Sequence, residues 1–295
     1  MVRKNLTRHF RTGFIGLIAV ICQGAIASTD EPAALMPENE SQSVEEKTNI
    51  KTFKERFRFQ TFTEFMTPAI NNNQNQVPTP EGGQLIPTNT YNILWADYEF
   101  ARDFKFLYWQ RLWIDFANSQ SAQGVGVFHR NPRFALRKVN VLNIPNLNTT
   151  YDFYIQPGWS PEAGSGGRDF EFGFRTTHSY TIPKSRWNIG ATTELTYSIS
   201  NQDVPGASTY GWVMSWLSYE LNKTFATQTF ASVNLQHNRG TTGIQWDYPM
   251  PYIQNGIGMN VTDSIWAAVF INNYMTTAPT LSNTWASLWL SITVL

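Results

Sequence analysis

The 295-residue sequence has one cysteine, Cys22. That residue falls in a segment expected to be removed on export, so the mature chain is left without a disulfide or a thiolate metal site. Histidine is scarce as well. His129, His178 and His237 are too dispersed in the mature chain to give metal-ligand spacing. Charge is thin at 15 % and sums to zero, and no basic patch points to nucleic acid. Beyond the N-terminus no run of 18 or more apolar residues is long enough for a spanning helix. Gly164, Gly166 and Gly167 are not followed by a helical pattern, so they are not a phosphate-binding turn. No cofactor is expected.

Aromatic residues, by contrast, are abundant at 15 %, although the mean hydropathy is negative. Their placement accounts for both facts. From Asp169 to Ile199 the chain alternates strictly. Phe170, Phe172, Phe174, Thr176, His178, Tyr180 and Ile182 share one face. Glu171, Gly173, Arg175, Thr177 and Ser179 share the other. After Pro183-Lys184-Ser185 the rule resumes, with Trp187, Ile189, Ala191, Thr193, Leu195, Tyr197 and Ile199 apolar and Glu194 on the polar side. Period two marks strands with unlike faces. A soluble sheet also alternates, but these halves, each about 13 residues, exceed the usual five or six. Phe170 and Tyr180 bracket about 25 Å along a tilted strand, the height of the apolar band of a transmembrane barrel with aromatic girdles.

The N-terminus carries Arg3, Lys4, Arg8 and Arg11, then an apolar core Phe14 to Ile21, then Ala25-Ile26-Ala27. Residues 1–27 read as a secretory signal peptide. Residues 28–50, with Asp30, Glu31, Glu38, Glu40, Glu45 and Glu46 against Lys47, read as a disordered acidic periplasmic leader, with a docking or plugging role as the alternative. Residues 51–295 read as the barrel. Its first strand is expected to start near Thr52, although Glu55 breaks the alternation there. Eleven more follow, at about 90–100, 104–117, 133–144, 149–156, the two halves of the opening hairpin, 208–220, 223–236, 248–261, 264–275 and 283–295. Connections after even strands are short and those after odd strands are long, as in barrels with periplasmic turns and extracellular loops. The expected fold class is an all-β, transmembrane, antiparallel up-and-down barrel of about twelve strands.

Over residues 51 to 295 this architecture resembles bacterial outer-membrane β-barrel proteins of porin-like build. The last strand, Trp285-Ala286-Ser287-Leu288-Trp289-Leu290-Ser291-Ile292-Thr293-Val294-Leu295, resembles the closing strand of that class, although Leu295 stands where Phe is usual. The resemblance implies the outer membrane, with its lipid and lipopolysaccharide, as the location. It also implies that the barrel-insertion machinery reads the last strand.

Charge selects the inner face, because a basic side chain facing the bilayer midplane costs about 2–4 kcal/mol. The lumen-lining candidates are Arg56, Arg58, Asp97, Glu99, Lys105, Arg111, Asp115, Glu171, Arg175 and Glu194. Matched faces set Glu99 opposite Lys105 and Arg175 opposite Glu194. They place Arg56 and Arg58 at the depth of Asp97 and Glu99. Twelve strands fall between filled eight-stranded barrels and open sixteen-stranded ones. A narrow passive channel for small solutes, lined by paired charges, is therefore the first expectation. The alternative is a closed structural or adhesive barrel. An outer-membrane lipid hydrolase ranks third. His237-Asn238-Arg239-Gly240 looks superficially like such a site, but no serine lies two residues after the histidine, and His237 is expected in a loop. Trp159 is a candidate for stacking on a sugar at the outer mouth, although a solvated, flexible loop is the first expectation there.

Overall fold

In the computed structural model, residues 52–69, 76–77, 86–87, 89–115, 126–129, 131–159, 168–200, 207–238, 245–246, 251–275, 279–281 and 284–294 are described. The expected signal peptide and acidic leader lie outside these residues, as does most of each long loop. Twelve strands carry the fold: β1 Phe57–Ala69, β2 Asn89–Ala101, β3 Phe104–Asp115, β4 Arg133–Val139, β5 Leu147–Pro157, β6 Arg168–Thr181, β7 Trp187–Ser200, β8 Ala207–Glu220, β9 Phe225–Asn238, β10 Tyr252–Thr262, β11 Ile265–Tyr274 and β12 Thr284–Thr293. Each pairs antiparallel with its sequence neighbour, and β1 also pairs with β12 from Gln60↔Thr293 to Ala69↔Trp285. The sheet is thereby closed. Closure leaves no unpaired strand edge in the bilayer, where an unmet backbone group costs several kcal/mol.

The expected alternation holds throughout. Phe153, Leu195, Ile257 and Val269 face outward and are more than half exposed, whereas Phe270 and Trp289 face inward and are sealed. Phe172 and Leu195 therefore do not pack between two sheets; they meet lipid. In the β6–β7 hairpin Glu194 pairs with Arg175 and Leu195 with Phe174.

Three boundaries differ from expectation. The chain enters the barrel through one helical turn, Phe53–Arg56, not a strand beginning at Thr52. The Glu55 carboxylate accepts a hydrogen bond from the Thr52 amide, the reciprocal half of a capping box. That helical turn is why the alternation fails at Glu55. The fourth strand ends at Val139, short of Ile144, because Asn140 adopts a left-handed backbone (φ 52°) that no strand continues through. The tenth strand begins at Tyr252, just past Pro249 and Pro251, neither of which can donate to a ladder. The turn after β2 is tight, with Asp103 at φ 62°.

Small residues on the inner face make room for rings from neighbouring strands. A Cβ on Gly190 of β7 would stand 2.1 Å from the Trp216 ring of β8 and 2.5 Å from the His178 carbonyl oxygen. Gly190→Ala is therefore expected to destabilise the barrel by about 1–3 kcal/mol through overpacking. Leu195→Arg, on the lipid face, is expected to cost about 2–4 kcal/mol. Denaturant unfolding of the protein refolded into lipid vesicles measures both. A neutral Leu195→Arg would contradict the outward assignment.

Candidate functional site

The inner surface of the barrel has two unlike walls. One runs from β1 through β7 and carries the charge. Strands β8 to β12 contain no lysine or arginine.

On the charged wall the ion pairs occur at successive depths. Near the periplasmic end, Arg58 Nε lies 2.8 Å from Asp97 Oδ2, and Lys105 Nζ lies 3.4 Å from Asp97 Oδ1. Register places Arg58 opposite Asp97 and Glu99 opposite Lys105. Beside them Arg137 grips Asp152 with two bonds of 2.7 and 2.8 Å, and both side chains are buried. Nearer the outside, Arg133 binds Glu194 through Nη2 at 2.8 Å and Nη1 at 3.2 Å. Its Nε donates to Gln156 Oε1 at 2.7 Å, an oxygen that also accepts from Arg111 Nη2 at 2.9 Å. Gln156 Nε2 donates to Glu171 Oε2, and the other oxygen of Glu171 accepts from Ser198 Oγ at 2.8 Å. These forked guanidinium–carboxylate contacts are the strong, orienting kind.

Gly173 explains how the wall is tied together. Tyr154 on β5 lies across it, so that a Cβ there would meet the phenol ring at 2.2 Å. The ring thus bridges β6 and reaches β7, where its hydroxyl donates to Glu194 Oε1 at 2.8 Å and contacts Thr196. The Arg133 guanidinium stacks 4.4 Å above that ring. Arg175 is buried, stands opposite Glu194 in register, and lies 5.9 Å from the centre of the Trp212 ring.

The second wall is aromatic. Trp289 on β12 is the hub, with ring centres at 4.6 Å to Phe270, 5.3 Å to Phe230, 5.4 Å to Phe62 and 6.5 Å to Trp266. Phe230 on β9 and Phe270 on β11 meet at 5.4 Å because Gly256, on the strand between them, has no side chain. Trp95, Leu107 and Trp109 extend this cluster onto β2 and β3. At this depth the rings, not the charges, occupy the lumen: Phe62, Phe230, Phe270 and Trp289 are all within 3 % of complete burial.

Of the residues singled out in sequence, Arg58, Asp97, Lys105, Arg111, Glu171, Arg175 and Glu194 are joined by the contacts above, and Glu99 adjoins them in register. Arg56 belongs to the entry turn, so its placement owes nothing to strand parity. Asp115 ends β3, and its side chain lies outside the described residues. Arg133, Arg137, Asp152, Tyr154 and Gln156 were missed, although Arg133 and Arg137 share parity within β4, as do Asp152, Tyr154 and Gln156 within β5.

Trp159 is largely exposed and packs edge-on against Phe134. One loop expectation is corrected. His237 lies within β9, not in a loop, and its Nδ1 is 3.0 Å from Ser208 Oγ on β8. The same hydroxyl also lies 3.2 Å from the His237 carbonyl oxygen, an ordinary cross-strand hydrogen bond. His178 lies near the periplasmic rim on the lipid side, edge-on to Tyr151. Among the described residues no group of three or more His, Cys, Asp or Glu is arranged to hold a metal.

Fold and parity together define the class: this is an outer-membrane β-barrel of porin-like architecture. Among solved structures, an outer-membrane channel from Pseudomonas putida F1 superposes with a TM-score of 0.53 at 9 % identity, covering 81 % of this chain and 95 % of that one. NanC porin gives 0.46 at 7 % identity, over 80 % of this chain and 99 % of that one. KdgM porin in complex with disordered oligogalacturonate gives 0.45 at 7 %, over 81 % and 99 %. The likeness is one of fold. No protein-family model and no curated protein matches the sequence.

The Arg133–Glu194 pair gives a direct test. Glu194→Leu strands a buried guanidinium and is expected to cost about 3–5 kcal/mol, whereas Glu194→Leu combined with Arg133→Met recovers most of it. A double-mutant cycle by denaturant unfolding reads both values.

Proposed function

We propose that this barrel is a narrow passive channel for small solutes, its path bordered by paired charges. One observation carries the reading: among the described residues the inward ionic pairs are confined to β1 to β7, whereas β8 to β12 line the lumen with rings and neutral side chains. Replacing a buried ion pair with apolar side chains of similar volume is often neutral or stabilising. A barrel with only a structural duty could be filled from all sides as β8 to β12 fill it. The charged wall instead offers a polar edge at successive depths, with Arg58 and Lys105 about a quarter exposed near the periplasmic end. The aromatic cluster sets the bore. Residues 1–27 act as the export signal, residues 28–50 form an acidic periplasmic leader, and the last strand is what the insertion machinery reads.

A specific observation favours a second reading, a closed structural barrel: the burial of Phe270 and Trp289 in mid-lumen. Planar-bilayer recording separates the two. The channel reading expects small unitary steps from the wild type, and steps enlarged several-fold when Trp289→Ala and Phe270→Ala remove the hub. Silence of the wild type, with conductance only in the double variant, supports the closed barrel. Silence of both defeats the channel.

A further inference from the structure

Glu64 has neighbours unlike those of the ion-paired carboxylates Asp97, Asp152 and Glu194. It is the next inward residue of β1 beyond Phe62, on the outer side of the aromatic hub. Phe62 is sealed whereas Glu64 is only partly buried. Asp97, Asp152 and Glu194 each touch an arginine. Glu64 is hydrogen-bonded to Trp289, Ser287 and Gln254, all neutral, and the adjoining strand β12, like β8 to β11, has no basic residue to offer.

The hydrogen bonds around it run one way. Asn272 Nδ2 donates to the Trp285 carbonyl oxygen at 3.3 Å and to Ser287 Oγ at 3.2 Å. The carbonyl can only accept, so the orientation of the Asn272 amide is fixed. Ser287, already an acceptor, keeps its own proton for Glu64. Asn272 is fully buried, yet its Oδ1 has no donor. This corner of the lumen therefore presents two acceptors, a carboxylate and an amide oxygen, with no basic side chain on β10, β11 or β12 to meet them. Rings surround it: Trp289 and Tyr91 are the register partners of Glu64 on its two sides, and Tyr252, Tyr274 and Trp285 form an aromatic cluster outside the hub. Aromatic faces beside a carboxylate attract a soft organic cation.

We propose that Glu64, Asn272, Tyr91 and Tyr252 form a binding site for an organic ammonium ion in the outer half of the lumen. Such an ion supplies the charge that Glu64 lacks and lays its alkyl groups on the rings. The proposed site lies on the outer side of the hub, so it and the channel reading fail separately.

The test is calorimetric titration of the refolded full chain in detergent with choline chloride, against sodium chloride at equal ionic strength. Saturable choline binding is expected, weakened about tenfold or more by Glu64→Gln. Tyr252→Leu, which keeps the charge and removes one ring, is expected to weaken it about threefold to tenfold. Lys138→Gln, at the periplasmic end beside Asp103, serves as the control and leaves it unchanged. Equal heats from choline and sodium, or undiminished choline binding by a folded Glu64→Gln, overturns the site.

Discussion

The structure depends on one constraint: in hydrocarbon a backbone amide or carbonyl has no water to turn to. A sheet can satisfy that constraint only by meeting itself, and here it does so where β1 pairs with β12 along most of their lengths. Once the sheet is closed, the two-residue period of a strand separates two environments with no further instruction. Leu195 and Phe172 face lipid because Glu194 and Glu171 cannot. Shifting any strand by one residue would exchange these roles over its whole length, so the burial of a few carboxylates fixes the register.

Inside, the same closure creates a second problem. A twelve-stranded cylinder is too wide for each strand's own side chains to fill and too narrow to leave wholly open. The chain fills it by crossing strands. Tyr154 lies over Gly173 to reach Glu194, and Phe270 occupies the space over Gly256 to reach Phe230. Inward glycines thus act as saddles for rings from the next strand, and each ring ties together three strands. The ionic wall and the aromatic wall are two uses of this device. In one the bridging ring ends on a carboxylate held by arginine; in the other it ends on another ring.

The outer half of this design was legible in sequence and the inner half only partly. Lipid faces one side of every strand, so its demand appears as strict alternation from Phe170 to Tyr180 and can be read one strand at a time. The boundaries that were misjudged lie where a local bond overrides the period: the Glu55 cap on Thr52 and the left-handed Asn140. The lumen is different because its contacts join residues such as Arg133 and Glu194, which are 61 positions apart. Charge parity identifies Glu194 as inward, but no period links it to Arg133. The aromatic hub was overlooked for a related reason. Ile93 and Trp95 share parity with Asp97, yet an apolar residue on the inner side looks like an exception until several strands place such residues at one depth. The missing lysines and arginines of β8 to β12 were the available signal.

This division of the lumen has a consequence for charge. A buried guanidinium or carboxylate persists in a low-dielectric interior only when a partner offsets the loss of water. The paired wall meets that condition internally, so it holds its shape whatever solution fills the mouth. Glu64, set among rings and neutral donors, does not. Its compensation has to come from something that the barrel does not itself carry. A lumen built in this way is ion-paired along one side and open to positive charge on the other, and that asymmetry follows from where twelve strands happen to hold their arginines.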